Sequence, residues 1–298
     1  MTIRPLHHST AAASCLVVSS LLALMSASGA LAQPGWVLSH QKISDTEGSF
    51  KGILDDADRF GRSVAALGDL DGDGVGDLAV GAFGDHDGGS SHGAVWVLFL
   101  NTGGTVKSHQ KISDTQGGFM GKLVDLNAFG TSVSALGDLD GDGVSDLAVG
   151  AFGDDDGGFD RGAVWVLLLN ANGTVKSHQK ISDTAGGFTG TLDNGDWFSF
   201  SLAWLGDLDS DGAGDLAVGA PNDDDGAGNH GAVWVLFLDG VGACPWDLNG
   251  TGNVGILDLL ALLAAWGSDP GGPPDFDGDG SVGILDLLTL LANWGPCA

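Results

Sequence analysis

Basic residues are scarce: the chain carries 11 Lys and Arg against 39 acidic residues, for a net charge of −28. No basic patch exists to neutralise phosphates, which excludes nucleic-acid binding. Glutamate is nearly missing, Glu47 being the single copy, so the acid is aspartate, whose short side chain suits tight metal loops. His-Glu-x-x-His does not occur, which removes one common hydrolase signature. Beyond Ala32 there is no apolar run long enough to span a membrane. The charge does not imply disorder, because 43% of the residues are hydrophobic and fall in periodic, strand-like segments.

Cysteine is limited to Cys15, Cys244 and Cys297. The N-terminus reads as a signal peptide over residues 1–32. Arg4 precedes an apolar centre at Leu16–Val18 and Leu21–Met25, and Ala30-Leu31-Ala32 fits a cleavage site. An uncleaved anchor competes with that reading, since residues 11–32 are uncharged; the serine content and the cleavage pattern favour export. Cleavage would remove Cys15. Cys244 and Cys297 then bracket the last domain, where an exported setting favours a disulfide over free thiols or a metal pair.

What the chain does have is one acidic loop, written three times. Asp69, Asp71, Asp73 and Asp77 return as Asp138, Asp140, Asp142 and Asp146, and again as Asp207, Asp209, Asp211 and Asp215. Carboxylates at positions 1, 3, 5 and 9 can converge on one hard cation, position 7 adds a carbonyl, and glycines allow the turn. With no Cys or His in the set, Ca²⁺ fits better than a transition metal. The loop belongs to a larger repeat, whose even step from Asp69 to Asp138 to Asp207 also copies Ser39–Thr46 at Ser108 and Ser177, and Gly93–Leu98 at Gly162 and Gly231. Such a period signals units that bury their apolar faces on one another.

Each unit holds four short strand candidates, in the first Ser63–Leu67, Leu78–Ala82, Ala94–Leu100 and Val106–Ile112, with the acidic loop joining the first two. Phe60-Gly61, the loop and Gly81-Ala82-Phe83 resemble the FG-GAP repeat of integrin-type β-propellers. The match recurs at Phe129-Gly130 with Gly150-Ala151-Phe152, and at Phe198-Ser199 with Gly219-Ala220-Pro221. The resemblance implies a mainly β fold of four-stranded propeller-type blades over residues 33–241, with calcium between the first two strands of each. Three blades fall short of the usual 4–8. The chain opens with an outer-strand segment, Trp36–Ile43, and its third unit ends at Gly231–Leu238 without one. A ring completed within the chain, a homo-oligomer that exchanges this strand, and an open stack with an unprotected edge all remain.

Other repeated residues have plainer readings. His40, His109 and His178 stand one per unit and read as packing or surface positions, not a metal cluster. Trp96, Trp165 and Trp234 are expected between blades. The runs Asp85-His-Asp87, Asp154-Asp-Asp156 and Asp223-Asp-Asp225 are expected as solvated turns.

From residue 242 onward the pattern becomes helical. Asp247, Asn249, Thr251 and Asp258 are followed at a period of 28 by Asp275, Asp277, Asp279 and Asp286, with Gly252 and Gly280 at the sixth position. These are positions 1, 3, 5 and 12 of an EF-hand-like loop, with Asp in place of the usual Glu at position 12. Helices are expected at Ile256–Trp266 and Ile284–Trp294, apolar on most sides. The duplicated unit, residues 242–298, resembles a dockerin. That resemblance implies up to two further calcium ions, a Cys244–Cys297 clasp, and a cohesin-like partner met by Ile256, Leu257, Ile284 and Leu285. Together the resemblances imply an exported, non-catalytic calcium-binding protein whose repeats face a protein or glycan ligand. An accessory module or divergent hydrolase of a polysaccharide-degrading complex, and a structural cell-surface component, are the alternatives.

Overall fold

The computed structural model describes residues 36–209, 211–225, 228–239, 246–248, 253–268, 274–277 and 279–296. The signal peptide, Cys244, Cys297, Asn249 and Thr251 lie outside the described residues. The chain divides into two units, Met1–His40 and Gln41–Ala298. Of the first, residues 36–40 are described; they are exposed and have no regular structure.

The second unit begins with an antiparallel meander of β1 (Ser63–Gly68), β2 (Asp77–Ala82), β3 (Ala94–Leu100) and β4 (Val106–Ser113). It repeats as β5 (Val133–Gly137), β6 (Asp146–Ala151), β7 (Ala163–Leu169) and β8 (Val175–Ile181). A third sheet of β9 (Ser201–Gly206), β10 (Asp215–Ala220) and β11 (Ala232–Leu236) has three strands. The fold is therefore mainly β, built of propeller-type blades, with strand limits within about one residue of those expected from valine-rich alternation between Gly/Asp turns. Register repeats as well: Val80, Trp96 and Lys111 lie in one row across the first blade, and Val149, Trp165 and Lys180 in the same row of the second.

The blades stack face on face, and the core sits between them. One cluster joins Val95, Val97, Phe99 and Ile112 of the first blade to Phe119, Phe129, Leu147, Val149 and Trp165 of the second. Another joins Val164, Val166 and Ile181 of the second to Leu192, Phe198, Leu216 and Val218 of the third. The backbones approach so closely that a Cβ on Gly81 would stand 1.9 Å from the Gly130 carbonyl oxygen, and one on Gly150 would stand 2.3 Å from that of Ser199. Glycine at these positions is a packing requirement. Ser199, where the other repeats have glycine, keeps the left-handed backbone (φ 77°), and its Oγ accepts the Ala151 N–H at 3.0 Å.

Two expectations change. Trp36–Ile43 forms no strand. Residues 41–43 of that segment have no ladder partner among the described residues, and an extended segment without one is not a strand. The acidic runs are not solvated turns: Asp85, Asp154 and Asp223 are buried. Lys111 bridges Asp85 (2.6 Å) and Asp87 (2.8 Å) above the Trp96 ring, and Lys180 bridges Asp154 (2.8 Å) and Asp156 (2.7 Å) above Trp165. In the first two blades the run thus clamps the outer strand to its own blade, and each of these buried charges has its partner. Trp165 lies at the junction of the first two blades and Trp234 packs on the cluster of the second and third, whereas Trp96 sits in the first blade's own cluster; His109 and His178 pack on Phe50 and Phe119 at 5.1 and 5.2 Å. Burial holds both imidazoles below their ordinary pKa.

The tail pairs β12 (Asn253–Val254) with β13 (Gly295–Pro296) around α1 (Ile256–Ala264) and α2 (Ile284–Ala292). Both helices end two residues before the tryptophans at which the sequence pattern placed them, α1 just ahead of Gly267 with its φ of 77°. Val254, Leu262, Val282 and Leu290 form a small core. Ile256, Leu257, Leu260, Leu263 and Trp266 of the first copy stay exposed, as do Ile284, Leu285, Leu288, Leu291 and Trp294 of the second.

Candidate metal centres

The β1–β2 loop is shaped by its own carboxylates. Asp69 accepts the N–H groups of Asp73 (2.9 Å) and Gly74 (2.7 Å), which curls the chain round it. Asp77 opens β2 and is buried; its two oxygens accept Leu70 N–H and Leu100 N–H, both at 3.0 Å. That tie fixes the loop to β3, and it recurs through Asp146 (Leu139 and Leu169) and Asp215 (Leu208 and Leu238).

Three of the four expected positions come together in each loop. Asp69, Asp71 and Asp77 place one oxygen each within 4.8 Å of the others, as do Asp138, Asp140 and Asp146, and Asp207, Asp209 and Asp215. Position 5 stands apart: Asp73, Asp142 and Asp211 each accept the N–H two residues on, at 2.9, 2.8 and 2.8 Å. An all-oxygen set with one buried carboxylate fits a hard divalent cation. Burial pushes the Asp146 carboxyl up to about 6 against its two backbone donors, with Asp140 and Asp138 adding to the rise. Asp77 shifts the same way for the same leading reason. A cation would relieve both effects.

The sequence reading missed two lysines. Lys107 reaches Asp71 at 2.6 Å and also contacts Asp73, while Lys176 contacts Asp140 and Asp142. These pairs hold Asp73 and Asp142 below the usual carboxylate range and raise the lysines. Their signal was the repeat itself, since Lys107 and Lys176 stand one full repeat apart, and one more step back reaches Leu38.

In the tail, Asp275, Asp277 and Asp286 converge within the same 4.8 Å. Asp286 is buried and accepts N–H groups from Gly283 (2.6 Å) and Phe276 (2.7 Å), joining the loop to the first turn of α2. Asp279 stands outside that set, its N–H donating to Asp277. Asp258 repeats the arrangement at α1, accepting Gly255 N–H at 2.7 Å. Asp247 is described, while its loop partners Asn249 and Thr251 are not. No helix among the described residues is long and apolar enough to cross a membrane.

Comparison with known proteins agrees with this geometry. The FG-GAP repeat family matches residues 60–98, 129–167 and 198–236, so each match spans one loop and the strands beside it. Integrin alpha-5 of Xenopus laevis is 43% identical over 103 residues, 34% of this chain and 9% of the relative. Integrin alpha-PS2 of Drosophila melanogaster is 33% identical over 177 residues, 55% of this chain and 12% of the relative. Integrin alpha-6 of Gallus gallus is 33% identical over 167 residues, 56% and 14% respectively. The chain thus spans only about a tenth of the length of these relatives. Over its three blades the chain carries FG-GAP repeats similar to those of integrin alpha chains.

Proposed function

We propose that this is an exported, non-catalytic, calcium-stabilised binding or scaffold protein. Its FG-GAP blades offer an adhesion or ligand surface, and its dockerin-like tail, residues 242–298, docks on a cohesin-like module. The observation that carries the reading is the convergence of carboxylates in three blade loops and again at Asp275, Asp277 and Asp286. Asp69, Asp71 and Asp77 and their equivalents would hold the blade ions. Asp275, Asp277 and Asp286 would hold one tail ion, and Asp247, Asn249, Thr251 and Asp258 the other. Calcium supplies the charge that lets a carboxylate stay ionised while buried; it has no reaction to perform.

Calorimetric titration of chelator-treated mature protein with Ca²⁺ tests this, with four or five ions bound as the expected result and none as the result that ends the proposal. Lysine should grade the blade sites. Because Lys107 competes for Asp71 and Asp73, Lys107→Met is expected to tighten the first loop by roughly tenfold, the scale of one screened charge near a site. The third loop, where the same repeat step from Lys176 reaches Pro245 and so brings no lysine, should bind most tightly of the three.

For the tail, the supporting feature is two near-identical helices that both present Ile-Leu pairs to solvent, Ile256-Leu257 and Ile284-Leu285. Capture on immobilised cohesin modules should survive Ile256→Asp or Ile284→Asp alone and be lost when both are changed. Loss with either single change would rule out two equivalent faces.

A further inference from the structure

We infer that the two ends of the blade stack are complementary halves of one interface, and that a second copy of this chain joins them head to tail. Each blade has two different faces. The face turned to the next blade presents Val95, Val97 and Phe99 in the first blade and Val164, Val166 and Leu168 in the second. In the third blade the same positions are Val233, Val235 and Phe237, which are 73%, 45% and 61% exposed, whereas Val95, Val97 and Phe99 are at most 4% exposed. The face turned to the preceding blade is buried in the second, where Leu123, Phe129, Leu147 and Leu169 are all at most 3% exposed. In the first blade the equivalent Leu54, Phe60, Leu78 and Leu100 are only partly buried. One end therefore carries the outgoing half of an interface seen twice within the chain, and the other end carries the incoming half.

Gly219 supports this. Its counterparts Gly81 and Gly150 are glycine because the backbone of the following blade leaves no room for a Cβ. At Gly219 a Cβ would meet only Ser201, chiefly its side chain. Ser201 Oγ, at 2.3 Å, is a side-chain end that can turn away, so no close backbone among the described residues demands the glycine.

The missing outer strand names the contact. Val37–Ser44 copies Val106–Ser113 and Val175–Ser182 at every position except Leu38. Gln41–Ser44 already lies against the first blade as an outer strand of a preceding blade would. Ile43 packs into the first blade's cluster with Trp96 and Phe50, and the Ser44–Glu47 bridge repeats Ser113–Gln116. The β-carbon of Gln41 approaches Gly104 as that of Gln110 approaches Gly173. The open edge of β11 supplies the matching ladder, and beside it Asp223, Asp225 and Trp234 line a cavity of about 240 Å³. In the other blades the same trio holds Lys111 or Lys180. Lys42 is the period-equivalent lysine, and in its own chain it pairs only with the exposed Glu47 among the described residues. In the register of β3 and β4, Lys42 of the second copy falls opposite Trp234, and its Gln41 opposite Val235. Because each copy contributes three blades, two copies make six, within the usual range of closed propellers.

The occupant must be a second copy, since Ile43 is committed to the first blade's cluster while β11 belongs to that of the second and third. The inference does not depend on calcium or on the tail. The test mixes two full-length chains, one carrying Gln41→Cys and the other Val235→Cys, under mild oxidation. We expect a reducible covalent dimer that neither chain gives alone beyond the unsubstituted protein. Gln41→Cys mixed with Val233→Cys, two residues out of register, should give little, because a disulfide does not reach beyond about 7 Å between Cα atoms. Lys42→Asp should weaken the dimer at least tenfold by light scattering, and adding Asp225→Lys should restore it. A mixture without cross-links or a monomer at every concentration would overturn the inference.

Discussion

EDTA at pH 7.5 is expected to lower the thermal midpoint of the mature protein by about 15 °C or more. The reasoning starts from Asp77, Asp146 and Asp215, three aspartates buried to within 1% of completely, each with two other carboxylates converging on it. A bound cation turns that repulsion into attraction. One site held at a hundred times its Kd adds about 2.7 kcal/mol to stability. In a domain of about 200 residues, each kcal/mol moves the midpoint by about 2–4 °C. Three blade sites therefore outweigh any single side chain. A midpoint that ignores both EDTA and added Ca²⁺ would sink the calcium proposal.

The metal-free protein should also respond to pH in an unusual direction. With burial lifting the Asp146 carboxyl to about 6 from an ordinary 3.8, the folded state holds that proton more tightly than the unfolded chain does. The stability gained is fully present below about 3.8 and is lost as pH rises through about 6. In EDTA the midpoint should thus rise as pH falls from 7 towards 5, opposite to the usual loss of stability in acid. With Ca²⁺ bound, that gain should vanish, because protons and the ion compete for the same oxygens. Asp146→Asn separates the two effects. It removes the buried charge but leaves one of the Leu139 and Leu169 N–H groups facing an amide nitrogen that cannot accept it, so in EDTA its midpoint should lose this pH dependence, and its calcium response should shrink.

The blades were legible because both periodicities were simple: a strand alternation of two and an unvarying repeat step fixed the elements to within about one residue. The convergence of positions 1, 3 and 9 in each loop was legible in the repeated spacing of its aspartates. Two things were hidden. Asp85 and Asp154 look in sequence like any acidic turn, and only the fold brings Lys111 and Lys180 to them from the following outer strand. Lys107 likewise reaches the Asp73 loop from 34 residues away. Local pattern reveals hydrophobic faces and short-range ligands; it does not reveal which cation crosses a sheet. The helix ends were also overrun, because an apolar stripe that reaches Trp266 and Trp294 does not itself mark where backbone hydrogen bonding stops.

Phe129→Ala is expected to destabilise the protein by about 3–5 kcal/mol, the usual range for losing a buried aromatic side chain. Phe129 is fully buried, stacks on Phe119 at 5.2 Å, and its backbone passes under Gly93, so collapse around a cavity is blocked on both sides. Its repeat-equivalent Phe60 has the same sequence setting and the same kind of partner, Phe50 at 5.2 Å, but only partial burial at the end of the stack. For an isolated chain Phe60→Ala should therefore cost about half as much, in proportion to the smaller area removed from water. Head-to-tail pairing changes that expectation, because the partner's Val233, Val235 and Phe237 would cover Phe60 as Val95, Val97 and Phe99 cover Phe129. Denaturant unfolding of both variants at about 1 µM and about 100 µM protein reads this directly, since association makes stability depend on concentration. The Phe129→Ala penalty should stay nearly constant, while that of Phe60→Ala should grow towards it as the parent dimerises. Equal penalties at both concentrations would mean that the first blade's face stays open to water.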